Sequence, residues 1–195
     1  MHVLKRNELV DVPWKNGGGI TRSIAKGLLA DHAAWTISRA DVAQDGPFSD
    51  FAGMTRVLTV VSGSAMELQA PTHTIEARMW QPVHFDGALK IQSSLTDGPL
   101  TDLNLMFDPT LCDGSVTTRR DPFSGSVARP DHGLLAFHVL AGTPQINAVN
   151  TALGDTVFID SNDAALHLNK GDAVLEIRLD YLNHKDAIKL CIANL

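Results

Sequence analysis

Hydrophobic residues in this chain recur in short runs, several with the alternate spacing of a half-buried β-strand. Nine prolines and fifteen glycines separate these runs, and short apolar runs between turn residues are typical of sandwiches and barrels. We therefore predict an all-β chain in which only the last dozen residues are candidates for a helix. The predicted strands are residues 34–42, 55–61, 65–69, 90–95, 101–107, 134–140, 156–159 and 173–179.

One long segment shows no strong period. Residues 111–130 are rich in Asp, Gly, Ser, Thr, Arg and Pro, a composition typical of loops. We predict that this segment is a linker or long loop. It would join a first β lobe, residues 1–110, to a second and smaller lobe, residues 131–195.

Composition and charge exclude several partners. The 195 residues are 44% hydrophobic and 19% charged, which is ordinary for a globular protein. The net charge is -6, and the 16 lysines and arginines form no run longer than a pair such as Arg119 and Arg120. Neither nucleic acid nor an anionic membrane surface is therefore a predicted partner.

The lengths of the apolar runs and the cysteine spacing predict a cytoplasmic location. No apolar run approaches the roughly 18 residues of a membrane helix, and residues 1–14 have no apolar core of a secretory signal. Cys112 and Cys191 lie far apart in the sequence and have no CxxC neighbour. We predict that both are reduced thiols.

The most specific motif is residues 13–22, which read PWKNGGGITR. It is followed by WTISRADV at 35–42, DGPFSDF at 45–51, Gly53, Arg56 and DLNLM at 102–106. In this order the motifs resemble those of the HutD/Ves family, over roughly the first 107 residues. The chain departs from the family pattern at Ser23, where Glu is usual, and at His84, where an aromatic residue is usual.

The resemblance implies a bicupin, in which two cupin-like double-stranded β-helix (jelly-roll) lobes pack together. The HutD branch accompanies histidine utilisation and the Ves branch is named for environmental stress; the sequence does not choose between them. The resemblance also implies that Trp14, Lys15, Asn16 and Thr21 of the signature belong to a ligand site.

The positions of cupin metal ligands hold other residues here. A metal cupin supplies a His-x-His pair and a Glu, whereas Ser49, Phe51 and Arg56 stand at the equivalent positions. A guanidinium cannot ligate a metal ion and would repel one. The remaining histidines occur singly, so we predict no metal and no other cofactor.

Arg56 is the main candidate for ligand recognition. Strand alternation places it with Leu58 and Val60 on a largely apolar face, where an unpaired charge is costly. Either it pairs with Asp45 or Asp102, or its planar fork binds a ligand carboxylate. The sequence leaves both interpretations open.

Strand 101–107 carries two further candidates. Asp102 and Asn104 share one face with Met106, and Leu103 and Leu105 lie on the opposite, buried face. Polar residues that face the interior of a small barrel either line a ligand pocket or form a structural hydrogen-bond network.

Catalytic chemistry is not indicated. His84 and Asp86 form a His-x-Asp pair that could act as a general base, although an exposed loop pair is the alternative. The serines lack a nucleophile elbow, and neither cysteine has an identifiable His partner. We predict no catalytic residue and leave enzymatic activity open. The predicted ligand-binding residues are Trp14, Lys15, Asn16, Thr21, Arg56, His84, Asp102 and Asn104.

The sequence therefore favours a metal-independent protein that binds or senses a small molecule. The resemblance implies a small carboxylate metabolite of histidine catabolism, of the urocanate or formimino-glutamate type. The alternatives are a metal-independent hydrolase or isomerase of the same pathway and a stress-associated interaction protein. A homodimer is left open.

Overall fold

The computed structural model describes residues 1–185 and 187–193, and β-strands dominate them. The strands are β1 (His2–Leu4), β2 (Val12–Pro13), β3 (Gly19–Leu29), β4 (His32–Val42), β5 (Gly46–Pro47), β6 (Thr55–Ser62), β7 (Ala65–Gln69), β8 (Thr74–Arg78), β9 (Val83–Asp86), β10 (Gln92–Leu95), β11 (Leu100–Phe107), β12 (Cys112–Arg119), β13 (Phe123–Val127), β14 (Gly133–Ala141), β15 (Gln145–Ile146), β16 (Val149–Asn150), β17 (Thr156–Ile159), β18 (Ala164–Leu168), β19 (Ala173–Tyr181) and β20 (Ile188–Ile192). A 3₁₀ turn at Arg6–Glu8 follows β1. The all-β prediction is confirmed, and each of the eight predicted strands is present.

The strands form four antiparallel sheets, arranged as two lobes. In the first lobe, a seven-stranded sheet (β2-β3-β4-β11-β6-β9, with β20 also on β3) faces a four-stranded sheet (β5-β10-β7-β8). In the second lobe, a five-stranded sheet (β1-β17-β14-β19-β12) faces a four-stranded one (β13-β18-β15-β16). Each pair of sheets encloses its own apolar cluster, such as Leu58 and Met66 in the first lobe and Phe137 and Leu166 in the second.

The two large sheets pack back to back through a third apolar cluster. Trp35, Ile37 and Leu105 of the first lobe meet Ala136 and Ile177 of the second in this cluster. Burial of each large aliphatic side chain contributes about 1.5–3 kcal/mol. The lobes are therefore joined by a hydrophobic core rather than by a flexible connection.

This layering buries both faces of β11, because its sheet has the core between the lobes on one side and the interior of the first lobe on the other. On β11, Leu103 and Leu105 point into the core between the lobes. Side chains alternate along a strand, so Asp102, Asn104 and Met106 point into the first lobe, where they line a cavity. The sequence prediction for this strand is confirmed.

The predicted linker at residues 111–130 is wrong, because this segment contains β12 and β13. On β12, Cys112, Gly114 and Val116 are buried while Asp113 and Ser115 are exposed. The strand does alternate, but its buried positions are too small to give a clear hydrophobic signal. It is held by a continuous register with β19.

The one stretch considered a candidate for a helix, the last dozen residues, forms a strand where it is described, since Ile188–Ile192 pairs with β3. Asp186, Asn194 and Leu195 of that prediction lie outside the described residues. The terminal strands also cross between lobes: β1 pairs with β17 of the second lobe, and β20 with β3 of the first. Sheet membership thus does not follow the predicted boundaries at 110 and 131. No helix among the described residues is long and apolar enough to span a membrane.

Candidate functional site

A cavity of about 660 Å³ lies in the first lobe, within the usual size range of small-molecule sites. Its walls come from β3, β4, β6 and β11, from the turn between β2 and β3, and from the segment around β5. Seven of the eight predicted ligand-binding residues line it: Trp14, Lys15, Asn16, Thr21, Arg56, Asp102 and Asn104. The structure therefore brings residues far apart in the sequence to one place.

Arg56 lies at the wall of this cavity, and only 6% of its surface is exposed. Its Nη2 donates a hydrogen bond to Asn104 Oδ1 at 2.9 Å, whereas its buried Nε has no partner among the described residues. The rings of Phe48, Phe51 and Phe85 surround the guanidinium, with centroids 5.0, 5.3 and 5.1 Å from Cζ. Three ring contacts hold the charge in place while most of its donors stay available.

The structure shows neither of the ion pairs considered for Arg56. Asp45 accepts a hydrogen bond from the backbone N–H of Leu95 at 2.8 Å. Asp102 is hydrogen-bonded to Asn104, whose Nδ2 donates to Asp102 Oδ1, and Asn104 in turn accepts the hydrogen bond from Arg56. Asn104 thus bridges a buried cation and a buried carboxyl group.

Burial changes the pKa of both Arg56 and Asp102. Loss of solvent lowers the pKa of Arg56 to about 10, and the nearby Asp102 opposes this change. Loss of solvent also raises the pKa of Asp102 to about 7, with the charge of Arg56 acting in the opposite direction. Around neutral pH the cavity therefore holds a cationic guanidinium and a carboxyl group close to its titration point.

The signature segment forms one rim of the cavity. Trp14 Nε1 donates to Thr21 Oγ1 at 2.7 Å, which fixes the indole as a wall. A side chain at Gly19 would bring a Cβ within 2.4 Å of the Asp41 carbonyl oxygen and 3.1 Å of the indole. Only glycine permits this close approach. Lys15 and Asn16 are exposed at the mouth.

His84 is not part of this cavity. On β9, Phe85 lies opposite Arg56 in the register with β6, and His84 lies opposite Val57. Because neighbouring side chains on a strand point to opposite faces, Phe85 turns inward and His84 is exposed. The predicted grouping of His84 with the other seven residues is therefore corrected.

Sequence reasoning missed the aromatic surroundings of Arg56. Phe48 and Phe51 lie in a segment that resembles a family motif, but nothing in the sequence assigns their rings to the guanidinium. The contact of Phe85 with Arg56 was missed because it depends on the register between β6 and β9. Ser38 and Met106 also line the cavity, and the alternation of β4 and β11 was the available signal.

The positions expected to hold cupin metal ligands lie at this same cavity. Ser49, Phe51 and Arg56 all line it. Among the described residues, no three His, Cys, Asp or Glu side chains are grouped as metal ligands. The polar groups of the lining are a guanidinium, an ammonium, amides, hydroxyls and one carboxyl group, a set that suits an organic anion better than a metal ion. That the purified protein is metal-free remains a prediction.

Nucleophilic chemistry has little support from the thiols. Burial raises the pKa of Cys112 to about 12, and this residue lies in the core between the lobes. A thiol of that acidity is almost entirely protonated at neutral pH and is a poor nucleophile. Neither Cys112 nor Cys191 lines the cavity.

Curated relatives of the chain carry HutD-region and Ves names. The family model HutD matches residues 6–183. A protein Ves from Citrobacter koseri is 31% identical over 162 residues, which cover 80% of this chain and 78% of that protein. An uncharacterized 21.2 kDa protein in the hutC 3′ region of Pseudomonas putida is 32% identical over 112 residues, 56% of this chain, and the match spans only 59% of that relative's length.

Solved structures share the architecture. The structure of HutD from Pseudomonas fluorescens SBW25 (formate condition) has a TM-score of 0.81 and 26% identity, covering 92% of this chain and 98% of that one. The bacterial pirin YhhW from Escherichia coli, in complex with nickel(II), has a TM-score of 0.69 at 12% identity, covering 91% and 97%. The latter likeness concerns the fold alone. The predicted bicupin jelly-roll fold is confirmed, and the chain belongs to the HutD/Ves family.

Proposed function

We propose that the first-lobe cavity binds a small carboxylate metabolite of histidine breakdown and that the protein acts by binding or sensing it. The observation that carries this proposal is the state of Arg56. Its guanidinium is buried and held by three phenylalanine rings, yet it forms one side-chain hydrogen bond among the described residues. Guanidinium forks bind carboxylates with paired, charge-assisted hydrogen bonds.

The rest of the lining suits a flat, unsaturated acid such as urocanate. Trp14 and Phe48 offer apolar surfaces against which a ring can stack. Asp102 accepts a hydrogen bond from Asn104 through Oδ1, and a carboxyl group has further acceptor sites for a ligand N–H. Lys15 adds a second positive charge at the mouth. Formimino-glutamate offers the same pairing of carboxylate and N–H groups.

The link to histidine breakdown rests on family membership. The relative from Pseudomonas putida is described as lying in the hutC 3′ region, and the HutD branch accompanies histidine utilisation. Other relatives carry the name Ves, which points to no ligand. We extend the proposal to a cytoplasmic location, where such metabolites occur.

A second candidate is a metal-independent isomerase acting on the same class of acid. The pKa of about 7 at Asp102 favours it, because a general acid or base is most effective when its pKa lies near the working pH. Turnover separates the two candidates. An absorbance or NMR change in urocanate or formimino-glutamate incubated with purified protein would favour catalysis, whereas saturable binding without conversion favours sensing.

The test of binding is calorimetric titration of the wild-type protein with urocanate and with formimino-glutamate, using urocanamide as the matched control. The amide keeps the ring and the unsaturated chain but has no negative charge for Arg56. We expect saturable binding of at least one acid and a rise in melting temperature, with binding of the amide weaker by about tenfold or more. Equal affinity for acid and amide, or no binding of either acid, would overturn the proposal.

A further inference from the structure

A second cleft, of about 720 Å³, lies between the two lobes. Its lining includes four cationic side chains, Lys5, Arg6, Arg22 and Arg39. Arg6 follows β1, which belongs to the second lobe's sheet, whereas Arg39 lies on β4 of the first lobe. The cleft is thus built from both lobes.

Two of the sequence motifs reach this cleft on the face opposite to the first cavity. On β4, Ser38 and Ala40 line the first cavity, and Arg39 between them lines the cleft. On β3, Thr21 lines the cavity and its neighbour Arg22 lines the cleft. The proposed carboxylate site therefore leaves two motif arginines without a role.

Two of the four cations are neutralised by partners. Lys5 Nζ lies 2.8 Å from Asp155 Oδ2. Arg22 binds two carboxylates, with Nε 2.6 Å from Asp11 Oδ1 and Nη1 2.6 Å from Asp41 Oδ2. These pairs also occupy the two carboxylates that line the cleft.

The other two cations, Arg6 and Arg39, form no side-chain ion pair or hydrogen bond with any described residue. Arg39 is only 6% exposed. Burial lowers its pKa, the charge of Arg6 lowers it further, and Asp41 and Asp102 oppose this change. A buried guanidinium beside a like charge is unfavourable unless an anion joins it.

Gly154 brings these two arginines together. Its backbone has a positive φ of +84°, and a Cβ at this position would lie 2.7 Å from Arg6 Cδ and 3.1 Å from Arg39 Nη1. The absence of a side chain leaves room for both arginines. Both side chains therefore lie against the same residue, and the charge of Arg6 is near enough to lower the pKa of Arg39.

We propose that this cleft is a second ligand site, which binds a phosphate dianion, free or as a phosphomonoester, between Arg6 and Arg39. One guanidinium fork is enough for a monovalent carboxylate, whereas two convergent guanidiniums match the charge and the tetrahedral oxygens of a phosphate group. The anion joins residues of both lobes. This site is independent of the function proposed for the first cavity.

The experiment is calorimetric titration of the full chain with inorganic phosphate and with methyl phosphate, at pH 7.5 and an ionic strength held constant with sodium chloride. We expect one phosphate group per chain and a higher melting temperature. Arg6→Gln and Arg39→Gln should each weaken binding about tenfold or more. Arg78→Gln, which removes an exposed arginine paired with Glu76, should leave it unchanged.

The titrations distinguish a phosphorylated metabolite from free phosphate, and two of their outcomes would contradict the proposal. Tighter binding of methyl phosphate than of phosphate supports a phosphorylated metabolite, and the reverse supports the free ion. Absence of saturable binding to the wild type overturns the proposal, as does unchanged affinity in Arg6→Gln. Arg6 is exposed, so this variant decides the question even if the buried Arg39 proves necessary for folding.

Discussion

Replacing Arg56 with methionine removes the charge and all five donors but keeps an unbranched side chain among the rings of Phe48, Phe51 and Phe85. If the guanidinium binds a ligand carboxylate, the variant loses a charged hydrogen-bond partner in a desolvated site. Such losses typically cost about 2–5 kcal/mol. Each 1.4 kcal/mol is about tenfold in affinity, so we expect the dissociation constant for urocanate to rise at least about 25-fold.

Folding should be affected much less. The fall in the pKa of Arg56 from 12.5 to about 10 corresponds to about 3 kcal/mol by which the surroundings disfavour its charge. Methionine relieves that cost, while it forfeits ring contacts worth roughly 0.5–2 kcal/mol each and the hydrogen bond to Asn104. The three ring contacts together are worth roughly 1.5–6 kcal/mol, a range that includes the relieved cost, so we expect the variant to remain folded at pH 7 with a change of at most a few kcal/mol in the free energy of unfolding.

Calorimetry and urea unfolding measure the two effects separately on the same preparation. Arg56→Lys should recover only part of the affinity, because an ammonium group lacks the planar fork. Arg78→Met serves as the matched control, since Arg78 is exposed and paired with Glu76. Undiminished affinity in Arg56→Met would refute the reasoning, and so would unfolding of the variant at pH 7, which would make Arg56 a structural residue.

Four further outcomes are expected. The wild-type protein should lose stability as pH rises from about 4 to 7, because Asp102, whose pKa is about 7 in the folded protein, keeps a proton that the unfolded chain has already released. Asp102→Asn should reduce this loss, which urea unfolding at pH 4.5 and 7.5 measures. His138→Gln should reduce the loss of stability as pH falls below about 6.5, because burial lowers the pKa of His138 to about 3 and the unfolded chain binds the proton first; an unchanged difference between pH 7 and pH 5 would contradict this. Leu105→Ala should destabilise the protein by about 2–5 kcal/mol, since Leu105 lies in the core between the lobes. The unfolding midpoints measured by tryptophan fluorescence and by far-ultraviolet circular dichroism should fall together, and separate midpoints would show independent lobes. Elemental analysis of dialysed protein should find no transition metal, and one equivalent per chain would disprove the prediction.

The sequence predicted strands where side-chain pattern alone sets the structure. Residues 101–107 alternate, and this pattern correctly placed Asp102 and Asn104 inside the first lobe and Leu105 in the core. The strand β12 was not predicted because small residues make up its alternating pattern. At Gly114, an added Cβ would lie 2.6 Å from the ring of Phe107, so packing against a residue elsewhere, rather than local hydrophobicity, makes this position a buried one.

The site could be predicted only in part, for a related reason. Arg56 and Asn104 were found because the pleat of each strand fixes its faces. Their contact depends on the register between β6 and β11, and the contact of Phe85 with Arg56 depends on the register between β6 and β9. A single sequence contains no register between distant strands, so the ring of Phe85 was missed and His84 was included.

The exchange of terminal strands between the lobes bears on the order in which the protein is made. A ribosome makes the strands β2 to β11 of the first lobe early, but β20, which pairs with residues 25–29 of β3, emerges only after β12 to β19 of the second lobe. Until then this stretch of β3 presents an unpaired edge, the kind of surface that recruits strands from other chains. The N-terminal strand β1 likewise has no partner strand until β17 has been made. The sheet of the first lobe therefore stays incomplete until β20 has been made, and until then the exposed edge of β3 is open to pairing with another copy.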